Sequence, residues 1–331
     1  MSELSVVLIS RNQEWNIARL VESVLRETNS QPGSEVVLVD SASTDQTTQI
    51  AARYPISVLK LRSEQRLTAS AGRYVGYKHT TGDLVLFLDG DMELCEGWLG
   101  QALLTMRSTP DVAVVCGRVI DRPLGSDTPT PVSPDPIEGD VASVEVRHGG
   151  GAAMYRRSVL EQVGTFNPFL YSDEEPSLCL RIRYAGYRIL RLPRRIAYHY
   201  TAPAESFATF MSKSKGHFWI GYGQNMRCFL GTPLLWPYLR ERGWAIVPAV
   251  FLVIGIVAAV ASGLTGKWIW VALWMAALAG LTAAIAIRKR SLKRALLTLL
   301  RRVLILDGSI RGLWLTPYDP ASYPATYDVI A

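Results

Sequence analysis

The chain has 331 residues, 49% of them hydrophobic and 19% charged, with a formal net charge of +6. This is enough for one large core, and the apolar share exceeds what a soluble core uses. The positive charge gathers near C-terminal apolar segments, which points to membrane lipid and away from nucleic acid, while Cys95, Cys116, Cys179 and Cys228 lack the Cys-x-x-Cys spacing of zinc or dithiol sites.

The cysteines read as reduced thiols of a cytosolic domain. Ser5-Val6-Val7-Leu8-Ile9-Ser10 predicts a first strand, and as an apolar run it is too short for a signal peptide. Ile17, Leu20, Val21, Val24 and Leu25 recur at helical spacing, with Asn12 as the expected N-cap. A turn at Gln31–Ser34 leads to a second strand, Glu35–Asp40, and then to a helix over Thr44–Tyr54. Ile56–Leu61 predicts a third strand and Thr68–Thr80 a helix of small residues.

Leu84 to Leu88 is an unbroken apolar run into Asp89-Gly90-Asp91, the pattern of a strand buried on both faces. Two carboxylates one residue apart repel unless a cation lies between them. Oxygen ligands beside a flexible glycine suit Mn²⁺ or Mg²⁺ holding a phosphate, and a polar loop with an Asp-Gly turn is the plainer alternative. Strands alternating with helices predict an α/β domain with a mostly parallel, Rossmann-like sheet that binds ligands outside the carboxyl ends of its strands. Ser10, Asp40 and Asp89 stand at three such ends.

Val7-Leu8-Ile9-Ser10-Arg11-Asn12 with Glu14, Val37-Leu38-Val39-Asp40-Ser41 with Thr44-Asp45, Ala71-x-Arg73 and Phe87-Leu88-Asp89-Gly90-Asp91 together resemble the family 2 glycosyltransferases of the GT-A fold. The resemblance implies inverting, metal-dependent sugar transfer from a nucleotide-sugar donor. It also implies that Ser10, Asn12 and Glu14 line the nucleotide pocket and that Asp40 and Ser41 meet the base or ribose. Arg73 would lie near the diphosphate, and Asp89, Gly90 and Asp91 would reach the ribose and the metal. The Pro-Thr-Tyr that often precedes the first Asn in the family is missing. Taken singly, Asp40 would serve as an N-cap, Glu14 as a first-turn acid and Arg73 as a solvated side chain.

Asp111–Arg118 predicts a further strand, and Arg122–Asp140 a Pro-rich surface loop able to close over substrate. The glycines of His148-Gly149-Gly150-Gly151 let backbone approach a ligand, and the resemblance sets them beside the donor and acceptor sugars; a bulged strand is the alternative. Asp173-Glu174-Glu175 opens a helix with Leu178, Ile182 and Ala185 on one face. Acids there complement the helix dipole, yet an inverting transfer also needs a carboxylate base. Aligned on Leu178 and Arg181, the resemblance makes Glu175 that base, with Glu174 and Asp173 as alternatives. It implies a metal or diphosphate contact for His199, against a packed structural histidine. Gly221-Tyr222-Gly223 with Arg227 is a plain turn or, as in non-processive membrane-attached members, a segment near the diphosphate or acceptor lipid.

Ala245–Gly263 and Trp268–Ile287 carry no charge, and each approaches the ~20 residues that cross a bilayer. Arg240 and Arg242 precede the first, and Arg288, Lys289 and Arg290 follow the second, so both chain ends are expected in the cytoplasm. Leu292, Ala295, Leu296, Leu299, Leu300, Val303 and Leu304 predict an amphipathic helix, in the membrane interface or packed on the catalytic domain. The expected organisation is a GT-A domain over 1–228, an interfacial connector over 229–243, a two-helix transmembrane hairpin over 244–287 and a basic amphipathic helix with cytoplasmic tail over 288–331. The expected partners are a nucleotide-sugar, a lipid-linked or polyprenyl acceptor and membrane lipid at the cytoplasmic face of the cell membrane. The alternatives are a polyprenyl-phosphate hexosyltransferase and a non-catalytic nucleotide-binding scaffold.

Overall fold

A computed structural model describes residues 3–124, 142–201, 207–243 and 247–331. The expected loop over Arg122–Asp140 lies outside them save for its first three residues. The chain divides into two compact units, Met1–Pro203 with Tyr318–Ala331, and Ala204–Pro317. The first grouping stops short of residue 228 and takes in the C-terminal tail.

In the first unit the chain runs β1 (Leu4–Ser10), α1 (Ile17–Thr28), β2 (Glu35–Asp40), α2 (Thr47–Ala51), β3 (Ser57–Leu61), α3 (Ala69–His79), β4 (Leu84–Asp89), β5 (Met92–Leu94) and α4 (Trp98–Ser108). It continues through β6 (Val112–Pro123), β7 (Val144–Glu145), β8 (Ala153–Arg156), α5 (Arg157–Val163), α6 (Glu174–Tyr184) and β9 (Arg188–Thr201), and closes with β10 (Tyr327–Val329). The sheet order is β10-β3-β2-β1-β4-β8-β6-β9-β5, with β7 on β9. Pairing is parallel across β3-β2-β1-β4. Beyond these strands β8, β5, β7 and β10 all pair antiparallel, so the sheet is mixed, and β6 with β9 is a second parallel pair.

Both faces of the sheet are covered, which explains the unbroken apolar strands. Along β1, Val6 and Leu8 enter the core under α1 and α4, while Val7 and Ile9 enter the core under α3, α5 and α6. Helix α1 begins at Ile17 with Asn16 at its cap, so Asn12 is not the N-cap expected. The reason is local: Asn12 has a positive φ of 53° and belongs to the loop. Helix α2 is shorter than the Thr44–Tyr54 segment expected, whereas α3 matches its prediction, with the Thr68 side chain accepting from the Ala71 N–H at 2.9 Å.

The second unit is helical. Its helices are α7 (Phe207–Lys215), a 3₁₀ turn at Phe218–Ile220, α8 (Gly221–Phe229), α9 (Leu235–Arg242), α10 (Val247–Thr265), α11 (Ile269–Lys289) and α12 (Leu292–Trp314). Gly221-Tyr222-Gly223 is therefore the start of a helix and not a plain turn. Helix α12 meets the 3₁₀ turn and α8 backbone to backbone: a Cβ on Gly308 would lie 2.4 Å from the Trp219 carbonyl, and one on Gly312 2.3 Å from that of Ile220. Leu297, Leu300, Leu304 and Ile305 of α12 pack on Phe210, Trp219 and Tyr222, while Leu292, Leu296 and Val303 stay exposed. Helices α10 and α11 are long and apolar enough to cross a membrane. Of their described residues only Ser262 is buried.

Candidate active site

Three strands of the first unit deliver polar residues to one edge of the sheet. At the ends of β1 and β2, buried Asp40 accepts from Ser10 Oγ at 3.0 Å, from the Ser43 N–H at 2.7 Å and from the Ser43 hydroxyl. The Ser41 N–H donates to the Ser10 carbonyl at 2.8 Å. Asn12 Oδ1 accepts from the Thr44 N–H at 2.9 Å and Glu14 Oε2 from the Gln46 N–H at 2.9 Å. Asn12, Glu14 and Asp40 thus stitch the two loops after β1 and β2 together. Asn16, which sequence reasoning passed over, is buried and donates to the carbonyls of Gly90 at 3.0 Å and Met92 at 2.9 Å, fixing the Asp-Gly-Asp loop from beneath. A Cβ on Gly90 would lie 3.0 Å from the Ile9 carbonyl, so a larger residue would push this loop off β1.

Arg73 joins the two halves of the site. Its guanidinium is buried and reaches Asp89 Oδ1 at 2.5 Å and Glu174 Oε1 at 2.6 Å. Burial opposes its charge, but Asp89 and Glu174 outweigh burial and its pKa is raised. Asp89 is pushed up by burial and by the nearby Asp91 and Glu174 carboxylates, against the opposing pull of Arg73. One pair of charge-assisted bonds therefore ties the Asp-Gly-Asp strand to the first turn of α6.

Glu175 points elsewhere. Its Oε1 accepts from the N–H groups of Gly149 at 2.6 Å and Gly150 at 3.0 Å and from the Cys179 thiol at 3.0 Å. The glycine loop is thus held against the acid cluster, and a Cβ on Gly151 would stand 2.7 Å from Asp89 Oδ2. Burial pushes the Cys179 thiol well above its usual range, aided by the Glu175 charge, so Cys179 keeps its proton and donates it. Asp173 precedes α6 in the left-handed region, at φ 60°, which Asp tolerates better than most residues.

Asp91 Oδ2 lies 3.3 Å from His199 Nε2, and His199 Nδ1 lies 2.8 Å from Asp121 Oδ1. Hydrogen bonding to Asp91, then to Asp121, pushes His199 up to about 9. Asp91 Oδ1 is buried without a hydrogen-bond partner, an arrangement that costs free energy unless a cation or proton is supplied. Among the described residues no three His, Cys, Asp or Glu side chains are grouped to hold a metal. The orphaned carboxylate oxygen beside an imidazole still fits an ion that takes its remaining ligands from phosphate and water.

The structure brings together Ser10, Asn12, Glu14, Asp40 and Ser41 as one cluster, and Asp89, Arg73 and Glu174 as another. Asp91 with His199, and Glu175 with the glycine loop, complete the edge. Asn16, Asp121 and Cys179 had no signal in single-residue reading, because their roles arise from contacts between distant segments.

Residues 5–164 match the family model described as Glycosyl transferase family 2. The chain is similar to Probable N-acetylgalactosaminyltransferase 7 of Caenorhabditis elegans, 32% identical over 34% of this chain and 20% of that protein. It is also similar to Glycosyltransferase AglE of Haloferax volcanii, 26% identical over 67% of this chain and 72% of that protein. Among solved structures, mannosyltransferase PcManGT from Pyrobaculum calidifontis, in complex with GDP-Man and Mn²⁺, superposes with a TM-score of 0.61 at 19% identity, over 94% of this chain and 87% of that one.

Proposed function

Because residues 5–164 match the model of glycosyl transferase family 2 and the chain has the GT-A fold, we propose that it moves a sugar from a nucleotide-sugar to an acceptor hydroxyl with inversion. The observation that carries this reading is the Arg73 bridge from Asp89 to Glu174, which joins a diphosphate-side strand to a base-bearing helix at one edge of the sheet. In this reading the loops stitched by Asn12, Glu14 and Asp40 hold the nucleoside, with Ser10 and Ser41 at its edge. Asp91 and His199, once His199 gives up its proton, would hold Mn²⁺ or Mg²⁺, and the ion would supply positive charge to stabilise the departing diphosphate. Asp89 stays with Arg73 and orients the loop through Gly90.

The acceptor oxygen attacks the anomeric carbon as the bond from that carbon to the diphosphate oxygen breaks, and the diphosphate leaves with the electron pair. Glu175 takes the acceptor proton on Oε2, since the two glycine N–H groups and Cys179 engage Oε1. Helices α10 and α11 cross the cell membrane, which their length and exposed apolar surface support; the flanking cations Arg240, Arg242, Arg288, Lys289 and Arg290 favour the first unit in the cytoplasm, and tethering at the bilayer favours a lipid-linked acceptor.

A thermal-shift panel of nucleotide-sugars with and without Mn²⁺ tests the reading. One nucleotide-sugar is expected to stabilise the protein only with metal, and Asp91→Asn to remove that shift. If no nucleotide-sugar stabilises the chain under either condition, the reading fails.

A further inference from the structure

The turn that leads into the acid cluster is held at three consecutive carbonyls. Arg66 Nη1 donates to the Phe169 carbonyl at 2.9 Å, Thr68 Oγ1 to that of Pro168 at 3.0 Å and Ser70 Oγ to that of Asn167 at 2.6 Å. Alternate residues of the loop before α3 and of its first turn thus run along this segment. Leu170 and Ser172 are buried, which leaves the chain little slack before Asp173-Glu174-Glu175. Further along α3, Arg73 holds Glu174. The acid cluster is therefore gripped from before and from within by one stretch of chain.

That stretch is itself fastened by the C-terminal tail. Tyr323 is buried; its hydroxyl donates to the Arg66 carbonyl at 2.7 Å and its ring meets Phe169 edge-on at 5.6 Å. Gln65 Nε2 donates to the Thr326 carbonyl at 2.6 Å. Tyr318 packs on Phe169 with ring centroids 5.1 Å apart. The Arg66 guanidinium lies 5.6, 4.8 and 6.0 Å from the rings of Phe169, Tyr171 and Tyr318. Aromatic faces attract a planar cation and restrict its rotamers, so these rings keep Nη1 aimed at the Phe169 carbonyl. The Tyr318 hydroxyl has no partner among the described residues, so the ring is what Tyr318 contributes.

We propose that Tyr318 and Tyr323 are positioning residues for the acid cluster. By fixing Arg66 and Phe169 they fix the turn that sets Glu174 on Arg73 and Glu175 on the glycine loop. The last residues of the chain thus align a site built from its first half. The consequence for transfer rests on the reading of Glu175 as the base, whose misplacement by about 1 Å costs up to about a hundredfold in rate.

The first test needs no turnover. Hydrogen exchange is followed by mass spectrometry in the full chain in detergent, at Gly149 and Gly150, whose N–H groups Glu175 holds, and across the first turn of α6. Tyr318→Ala leaves the core intact, because Tyr318 is 55% exposed. It is expected to quicken exchange at both places about tenfold or more and to leave β1 and β4 unchanged, while Tyr318→Phe matches the wild type. Tyr323→Phe, which removes only the bond to the Arg66 carbonyl, is expected to give the same pattern. A rise confined to these places in either variant supports the proposal. Unchanged exchange there in both, or a rise shared equally by β1 and β4, overturns it.

The second test measures transfer with the donor found by thermal shift. Tyr318→Ala is expected to lower kcat about tenfold or more with the donor KM unchanged, and Tyr318→Phe to keep wild-type kcat. An unchanged kcat, or a loss of donor binding equal to the loss of kcat, overturns the role in transfer. If no donor binds at all, the glycosyltransferase reading falls, while the exchange result still decides whether the tail positions the acids.

Discussion

Arg73 shows how one side chain can be structural and functional together. It is buried between two carboxylates, with Asp89 31% and Glu174 14% exposed at their side chains. Removing the cation would strand both, so Arg73→Met is expected to lower stability by about 3 kcal/mol in urea unfolding. Asp91 is the opposite case, with a buried Oδ1 that has no partner, while Glu175 holds the glycine loop through Oε1 and keeps Oε2 for the acceptor. Glu175→Gln is expected to keep metal-dependent donor binding by thermal shift while reducing transfer by about a hundredfold or more, the scale of general-base contributions. Unchanged transfer in that variant would move the role to Glu174, Asp173 or a phosphate nucleophile.

Elements of the sheet are pinned by carboxylates that were not legible as such. Glu35, at the start of β2, accepts from the Thr81 N–H at 2.6 Å, Ser5 Oγ at 2.7 Å and the Gly82 N–H at 2.9 Å, tying β2 to the turn before β4. Burial pushes its pKa up, but these bonds outweigh burial and hold it below the usual 4.5. A folded pKa below the unfolded one stabilises the protein above the unfolded value, and the stabilisation fades as pH falls through the folded value. The Tm deficit of Glu35→Gln is therefore expected to be constant near neutrality and to shrink below about pH 4.5. In the second unit the close approach of α12 to α8 depends on glycine. Gly312→Leu is expected to lower the detergent Tm by several degrees, with a cost of about 1–3 kcal/mol or more from overpacking.

At the scale of the whole molecule, the tail is part of the first unit. Strand β10 pairs with β3, and buried Tyr323 donates to the Arg66 carbonyl at 2.7 Å. Ending the chain after Pro317 is expected to expose the β3 edge and promote aggregation, measured by light scattering at matched concentration. Helices α10 and α11, almost wholly exposed and apolar, are expected to keep the chain in the membrane fraction through carbonate washing and release it only into detergent.

Sequence alone determined the four parallel strands β1 to β4, since runs such as Val6–Ile9 and Leu84–Leu88 must be buried on both faces, and it marked the acids at their ends. It also determined the two apolar helices, because length and absence of charge are local properties. Tertiary structure alone decided that Asn12 and Glu14 bridge loops, that Asn16 supports Gly90 and that Arg73 joins Asp89 to Glu174. It likewise revealed the antiparallel strands and the place of the tail. Those outcomes depend on which distant groups meet, and in a buried site each donor and acceptor is assigned by its neighbour in space, which periodicity and propensity do not encode.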